Sequence, residues 1–154
     1  MTIESLLVFL VLNFAALAVG STYTKKGTRS AWYQNQRKAP WTPPGWMFGF
    51  AWTIIMICFA VYMAYLWPEV ISPWLLAGLY VLQWLLNAAW GPVFFYYHKV
   101  LAGLIIVSLL MLLTGLLLVI YWPYLQLRSL FILPYFLWLL IAVSLNGYSL
   151  LMNE

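Results

Sequence analysis

Residues 100–121 contain no charged side chain, and only Ser108 and Thr114 interrupt an aliphatic run that closes on Tyr121. A segment of that kind has few options. A helix needs about 20 consecutive apolar residues to cross the hydrocarbon core of a bilayer. Four other stretches read the same way, so helices are expected over about 3–21, 45–67, 73–97, 100–121 and 127–152. Composition points in the same direction. Of 154 residues, 66% are hydrophobic and 6% are charged. A soluble domain carries roughly 25% charged residues. A water-soluble globular enzyme and a nucleic-acid-binding domain are therefore excluded. Disorder is excluded as well, because disordered chains are polar and poor in aromatics. The remaining class is an all-α integral membrane protein.

Prolines punctuate these runs. Pro43-Pro44 suits a helix start, whose first turn needs no internal donors. Pro68, Pro73 and Pro123 read as turn markers. Pro92 and Pro134 fall inside apolar runs, where each predicts a kink. Three of the connections are short, which forces antiparallel neighbours and predicts a single up-down bundle over residues 1–154. The exception is the loop 22–44. No internal repeat is visible, which argues against an inverted-repeat transporter.

The charges are sorted by position. Lys25, Lys26, Arg29, Arg37 and Lys38 lie in the long loop and Lys99 in the third connection, whereas only Arg128 lies on the other side. By the positive-inside rule, the long loop and the C-terminus face the cytoplasm and the N-terminus faces outside. The basic loop also predicts attraction to anionic lipid, or to an anionic ligand. Near the N-terminus, Ala16-Leu17-Ala18 resembles a cleavage site. The segment carries Glu4 and no early basic residue, so a retained helix is expected rather than a signal peptide. The one cysteine, Cys58, offers no disulfide framework and reads as a small buried residue.

The interior of the spans lacks ionisable groups. There is no Asp, and Glu4, Glu69 and Glu154 fall at helix ends or in loops. Ion-coupled transport keeps a titratable group at mid-membrane, and hydrolysis needs a positioned acid or base. Both are disfavoured. His98, beside Lys99, reads as a solvated turn residue. No metal or nucleotide signature is present, and no cofactor is required.

Amides and aromatic rings take the place of charge. Gln83, Asn87 and Trp90 share one helix face, which Phe94 continues. Tyr135, Trp138, Ala142 and Asn146 form a second stripe; Phe48, Trp52 and Phe59 form a third. Buried amides in lipid must find partners, so the first stripe reads either as helix–helix glue or as a polar spot on an apolar pocket. Gly45 and Gly49 form a GxxxG pair that permits close helix approach. The long loop holds Trp32-Tyr33 and then Trp41-Thr42-Pro43-Pro44-Gly45-Trp46, and it reads as a stiff lid over one mouth of the bundle. Inward aromatic stripes under an aromatic lid describe a pocket for a large, flat, mostly apolar molecule. Basic residues at its rim would meet a ligand carboxylate.

These residues resemble a known family. Trp32-Tyr33, then Lys38, then Trp41-Thr42-Pro43-Pro44 is similar to the first-loop signature of the translocator protein family, TspO/MBR. Its bacterial members are called tryptophan-rich sensory proteins. Gln83…Asn87…Trp90-x-Pro92-x-Phe94-Phe95 resembles its third-helix signature, and Ala51-Trp52-Thr53 its second-helix tryptophan. Pro134-Tyr135-x-x-Trp138-x-x-x-Ala142-x-x-Leu145-Asn146 resembles its fifth-helix signature. The resemblance implies a five-transmembrane-helix bundle, commonly a homodimer. It implies binding of tetrapyrroles such as protoporphyrin IX, haem-related compounds and other flat hydrophobic ligands. The implied pocket residues are Tyr33, Trp41 and Pro43 in the lid, Phe48 and Trp52, then Asn87 and Trp90, and finally Trp138, Ala142 and Leu145. Some bacterial relatives degrade protoporphyrin in light and oxygen through two tryptophans, whose counterparts here are Trp52 and Trp138.

Two departures stand out. Gln36 and Ala39 occupy loop positions where the family pattern has Leu and Pro. Tyr148 is followed by no nearby basic residue, so the cholesterol-recognition pattern of animal members is incomplete. The form of the chain resembles bacterial members. Three functions follow in order: a tetrapyrrole-binding sensor, a light-dependent protoporphyrin-degrading enzyme, and a passive transporter of tetrapyrrole or lipid.

Overall fold

The structure is a computed structural model that describes residues 1–153; Glu154 lies outside the described residues. Within them every regular element is helical. Helix α1 (Ile3–Gly27) opens on a capping box in which the Thr2 side chain accepts from the Ser5 amide, and Glu4 and then Lys25 and Lys26 complement its two dipole ends. A one-turn helix α2 (Ala31–Gln34) follows, capped by Ser30. Helix α3 (Gly45–Leu66) starts directly after Pro44, and α4 (Pro73–Gly91) carries Pro73 in its first turn. A π-helical turn, Pro92–Tyr96, leads into α5 (Val100–Leu125). A 3-10 segment, Gln126–Ile132, joins α5 to α6 (Leu133–Asn153).

Several boundaries differ from expectation. Helix α1 continues past residue 21 to Gly27, because the hydroxyls of Thr22 and Thr24 donate to the carbonyls of Ala18 and Gly20 and so tolerate the helix. The 22–44 stretch is therefore part helix rather than all loop. The run 73–97 is divided at Pro92, where a π turn absorbs the missing donor. Pro123 lies within the last turn of α5, not in a connection. So near a helix end, proline disturbs few remaining bonds. Pro134 is the second residue of α6, directly after the 3-10 segment, where no donor is needed. Residues 127–132 belong to the 3-10 segment, so α6 starts later than 127.

The long helices close into a ring: α1 packs on α3 and α4, α4 on α5, α5 on α6, and α6 on α3. Three stretches are long and apolar enough to cross a membrane: Ile3–Gly27, Gly45–Leu66 and Val100–Asn153. The buried side chains of α4 are Leu76, Tyr80, Gln83, Asn87, Ala88 and Gly91, a stripe that faces inward.

The half of the ring away from the 28–44 connection is the solid core. Phe59 stacks on Tyr62 and Tyr80 and meets the edge of Tyr135. Their polar tips are paired. Tyr62 donates to the Leu117 carbonyl at 3.0 Å, and Tyr80 to Asn13 Oδ1 at 2.6 Å. Asn13 Nδ2 in turn donates to the Met56 carbonyl at 3.0 Å, so one amide ties α1 to α3 and α4. Interhelical bonds of this kind contribute about 0.6 kcal/mol each in a membrane protein. Trp84, which no sequence stripe explained, donates to the Leu12 carbonyl at 2.8 Å. Cys58 is half-exposed rather than buried.

Candidate functional site

Above the aromatic core the ring is hollow. Its floor is the Gln83–Tyr135 pair, joined at 3.2 Å, with the Trp52 ring edge-on to Tyr135. Gln83 is 1% exposed and its Oε1 has no partner. The inward face of α4 is thus divided by depth. Gln83 fastens α4 to α6, whereas Asn87, one turn higher, reaches the hollow.

Two cavities occupy this end, with volumes of about 70 Å³ and about 760 Å³. They share a wall that includes Tyr33, Phe48, Trp52, Asn87, Trp90 and Phe95. The smaller is completed by α5 and α6, through Val107, Leu110, Trp138, Ala142 and Leu145. The larger is a groove between α1 and α3, reached by Ala16, Gly20, Pro43, Gly45 and Gly49.

The groove has a local cause. Asn13 fastens α1 to α3 and α4 midway along α1, and beyond it α1 crosses α4 closely at Gly20 and Gly91. A Cβ added to Gly91 would lie 2.9 Å from the Gly20 carbonyl oxygen, so this crossing needs glycine. The Gly45/Gly49 pair makes no such crossing within the chain. A Cβ at either would meet nothing within 4 Å, so this GxxxG element widens the groove rather than sealing a helix pair.

The 28–44 connection borders the smaller cavity through Tyr33, Gln36, Arg37, Lys38, Ala39 and Thr42, and it is fastened mainly to α6. Ser149 Oγ donates to Gln36 Oε1 at 2.9 Å. The Arg37 amide donates to Asn153 Oδ1 at 2.8 Å, and Asn153 Nδ2 returns a bond to the Arg37 carbonyl at 3.2 Å. Trp41 donates to Ser144 at 3.0 Å and meets the edge of Tyr148. On the other flank Trp32 stacks on His98, with centroids 4.2 Å apart, and touches Phe94 edge-on. His98 has φ 53°, a left-handed conformation unusual outside glycine; its ring is the platform for Trp32. Lys38 Nζ lies 4.6 Å above the Tyr33 ring, and burial pushes the Tyr33 phenol above its ordinary pKa.

Of the residues expected in a pocket, Tyr33, Phe48, Trp52, Asn87 and Trp90 line both cavities. Pro43 lines the groove alone, and Trp138, Ala142 and Leu145 line the smaller cavity alone. Trp41 lines neither. It is 54% exposed and acts as a peg on α6, because its indole N–H is engaged by Ser144. Asn146 is engaged too, accepting from Trp90 Nε1 at 3.2 Å. Sequence reading passed over Val107 and Leu110 of α5 and Ala16 and Gly20 of α1. An aliphatic run gives no periodic mark for its inward face, and small residues carry no chemical signature. Phe95 was legible only within the family pattern.

The shared wall is mostly aromatic, with the Asn87 amide, the Thr42 hydroxyl and the Lys38 ammonium as its other polar groups. Among the described residues, no group of three His, Cys, Asp or Glu side chains could hold a metal ion.

The model of the TspO/MBR family matches residues 8–151. Protein CrtK of Rhodobacter capsulatus is 29% identical over 149 residues, covering 95% of this chain and 91% of its own length. Tryptophan-rich protein TspO of Archaeoglobus fulgidus is 30% identical, covering 98% and 95%. The translocator protein of Bos taurus is 32% identical over 84 residues, which is half of this chain and 47% of the bovine one.

Proposed function

Because this chain belongs to the TspO/MBR family of membrane sensors and translocators, we propose that it binds tetrapyrroles and other flat hydrophobic molecules as a membrane sensor. The observation that carries this reading is the groove of about 760 Å³ between α1 and α3, walled by Phe48, Trp52, Trp90 and Phe95. Pockets for organic ligands span roughly 300–1,000 Å³ and are mostly apolar with a few placed polar groups. Rings of this kind bind a flat molecule by area burial and offset stacking. Asn87 supplies the polar spot. In this reading the chain is one domain, α1, α3, α4, α5 and α6 all span the membrane, and 28–44 serves as the lid. The chain works as a homodimer, with its N-terminus outside and its basic loop and C-terminus in the cytoplasm.

Titrating the purified protein with protoporphyrin IX in the dark tests the reading. Saturable quenching of tryptophan fluorescence is expected, weakened at least about ten-fold by Trp90→Ala, which removes a ring from the shared wall. Quenching that never saturates, or that Trp90→Ala leaves unchanged, would sink the reading.

A second reading has its own support. Trp52 and Trp138 face the same small cavity from α3 and α6. That cavity, about 70 Å³, is too small for a porphyrin, so this reading requires it to merge with the groove at Trp52, which lines both; the ligand would then lie against two oxidisable indoles, as light- and oxygen-dependent degradation of protoporphyrin requires. Illumination in air would then produce a new absorption band that Trp52→Phe or Trp138→Phe abolishes. Equal product formation without protein would remove this reading and leave the first intact.

A further inference from the structure

A line of touching rings leads from the shared wall of the two cavities out to the loop. Trp90, near the end of α4, lines both cavities. Phe94 follows one turn later, in the Pro92–Tyr96 π turn, and stacks on Trp90 with centroids 5.8 Å apart and planes 19° from parallel. Trp32 of α2 meets Phe94 edge-on at 5.7 Å, and the His98 ring lies against the other side of Trp32 at 4.2 Å, 18° from parallel. All are ordinary contact distances for paired rings. Packing fixes each step. A Cβ on Gly103 would lie 3.0 Å from the Phe94 ring, so α5 presses on that ring where only glycine leaves room. The left-handed backbone at His98 sets its imidazole against Trp32. Trp90 and Trp32 are thus two oxidisable indoles joined by one buried phenyl ring.

The two indoles differ in the fate of their N–H protons. An indole that loses an electron becomes acidic at nitrogen, and the radical is stabilised once that proton departs. Trp90 Nε1 donates to Asn146 Oδ1 at 3.2 Å. That oxygen belongs to a buried amide, which accepts a hydrogen bond but is no base. An oxidised Trp90 therefore keeps its proton and remains a strong oxidant. Trp32 is half-buried, its N–H has no partner among the described residues, and that nitrogen is not sealed from water. An oxidised Trp32 releases its proton to water. Electron transfer weakens steeply with distance, so a chain of rings in contact is the fast route, and the proton outlet at Trp32 gives it a direction.

We infer that Trp90, Phe94 and Trp32 form an electron relay from the loop surface to an oxidised aromatic ligand in the groove. The relay presupposes the reading that the groove holds a flat aromatic ligand, and it adds a redox function to it. The oxidant is dioxygen, and the reductant is a water-soluble hydrogen donor such as a thiol or ascorbate. Dioxygen takes one electron from the light-excited ligand and becomes superoxide. Trp90 gives one electron to the ligand radical cation, and Trp32 returns one to Trp90 through Phe94. Trp32 sheds its N–H proton to water, then regains an electron and a proton from the reductant. The ligand is restored rather than degraded. A second line of rings runs from Trp52 through Tyr135, Phe59, Tyr80 and Phe9 to Trp67 at the far end of the bundle. It is the poorer conductor, because it has two phenyl bridges and its Tyr80 phenol donates only to the Asn13 amide.

The test uses the full chain in phosphatidylcholine nanodiscs, saturated with protoporphyrin IX in the dark and then illuminated in air with a radical-trapping nitroso compound. Peptide mass spectrometry locates the trapped radical, and transient absorption follows the porphyrin radical cation. The adduct is expected on Trp32, ahead of Trp41 and Trp46, which are 54% and 68% exposed but lie off the stack. Added ascorbate should remove it. Deuterium oxide, which prolongs singlet oxygen, should not increase it. Phe94→Leu keeps both indoles and breaks the bridge, so the Trp32 adduct should be lost. Trp32→Phe, a change in the loop that leaves the buried rings in place, should lengthen the life of the porphyrin radical cation. Adducts that follow exposure and rise in deuterium oxide would mean attack by a diffusing oxidant and overturn the relay. So would a Trp32 adduct that survives Phe94→Leu, an unchanged radical lifetime in Trp32→Phe, or an adduct on Trp67 in place of Trp32. Saturable binding with no tryptophan radical would overturn the relay and leave the groove as a binding site. Absence of saturable binding in the dark would overturn the binding reading itself, and the relay with it.

Discussion

Single residues decide how close two helices come. Gly20 and Gly91 both sit at the α1–α4 crossing, yet they are not equivalent. A Cβ on Gly91 would press on backbone at 2.9 Å, whereas one on Gly20 would meet the Asn87 carbonyl at an ordinary 3.9 Å. Backbone cannot swing aside as a side chain can. Thermal unfolding in detergent should therefore rank the two substitutions. Gly91→Ala is expected to cost about 1–3 kcal/mol, and Gly20→Ala to stay within about 0.5 kcal/mol. Equal effects would mean that the crossing is not set by Gly91. Sequence inspection picked out a different glycine pair, Gly45 and Gly49, because spacing alone marks a candidate for close approach. Whether a helix lies against it depends on where the neighbours go.

At the scale of elements, side-chain bonds hold the connection beside the hollow against α6. Residues 36–41 form no ladder and bury little, so side-chain bonds from α6 hold them. Asn153 both accepts from the Arg37 amide and donates to its carbonyl, and Ser149 holds Gln36. Such a segment opens locally at a small fraction of the global free energy. Hydrogen exchange followed by mass spectrometry should find the Arg37 amide about five-fold less protected in Asn153→Ala, in keeping with about 1 kcal/mol for one bond. The core amides of α3 and α5 should not change. A loss of protection throughout the bundle would mean that Asn153 supports the fold as a whole. The aromatic and proline content of this segment reads as a stiff lid. Its attachment to α6 was not legible, because Ser144, Ser149 and Asn153 look like ordinary polar residues near a helix end.

At the scale of the whole molecule, charge sets orientation and hollowness sets capacity. Lys25, Lys26, Arg29, Arg37, Lys38 and Lys99 belong to one end of the bundle, whereas Arg128 belongs to the other, where it caps the Tyr65 ring. Lys and Arg flanking helix ends are retained on the cytoplasmic side. A reporter active only in the cytoplasm should therefore be active when fused to the C-terminus and silent when fused to the N-terminus. Replacing the five basic residues of the first connection by Gln should produce a mixed orientation. An active N-terminal fusion of the unmodified chain would refute the orientation.

By itself the sequence determined the solvent and the helical class. Those follow from local composition. A long apolar run has no stable home in water, and backbone groups in lipid must be paired within helices. It also marked Trp52, Asn87, Trp90 and Trp138 as facing inward, since helical spacing is local too. The tertiary structure alone decided which inward residues surround a cavity and which are sealed below it, as with Asn87 and Gln83. It turned Trp41 into a peg and Gly45 and Gly49 into open wall. Each depends on contacts between elements far apart in the chain, and no stretch of sequence contains them.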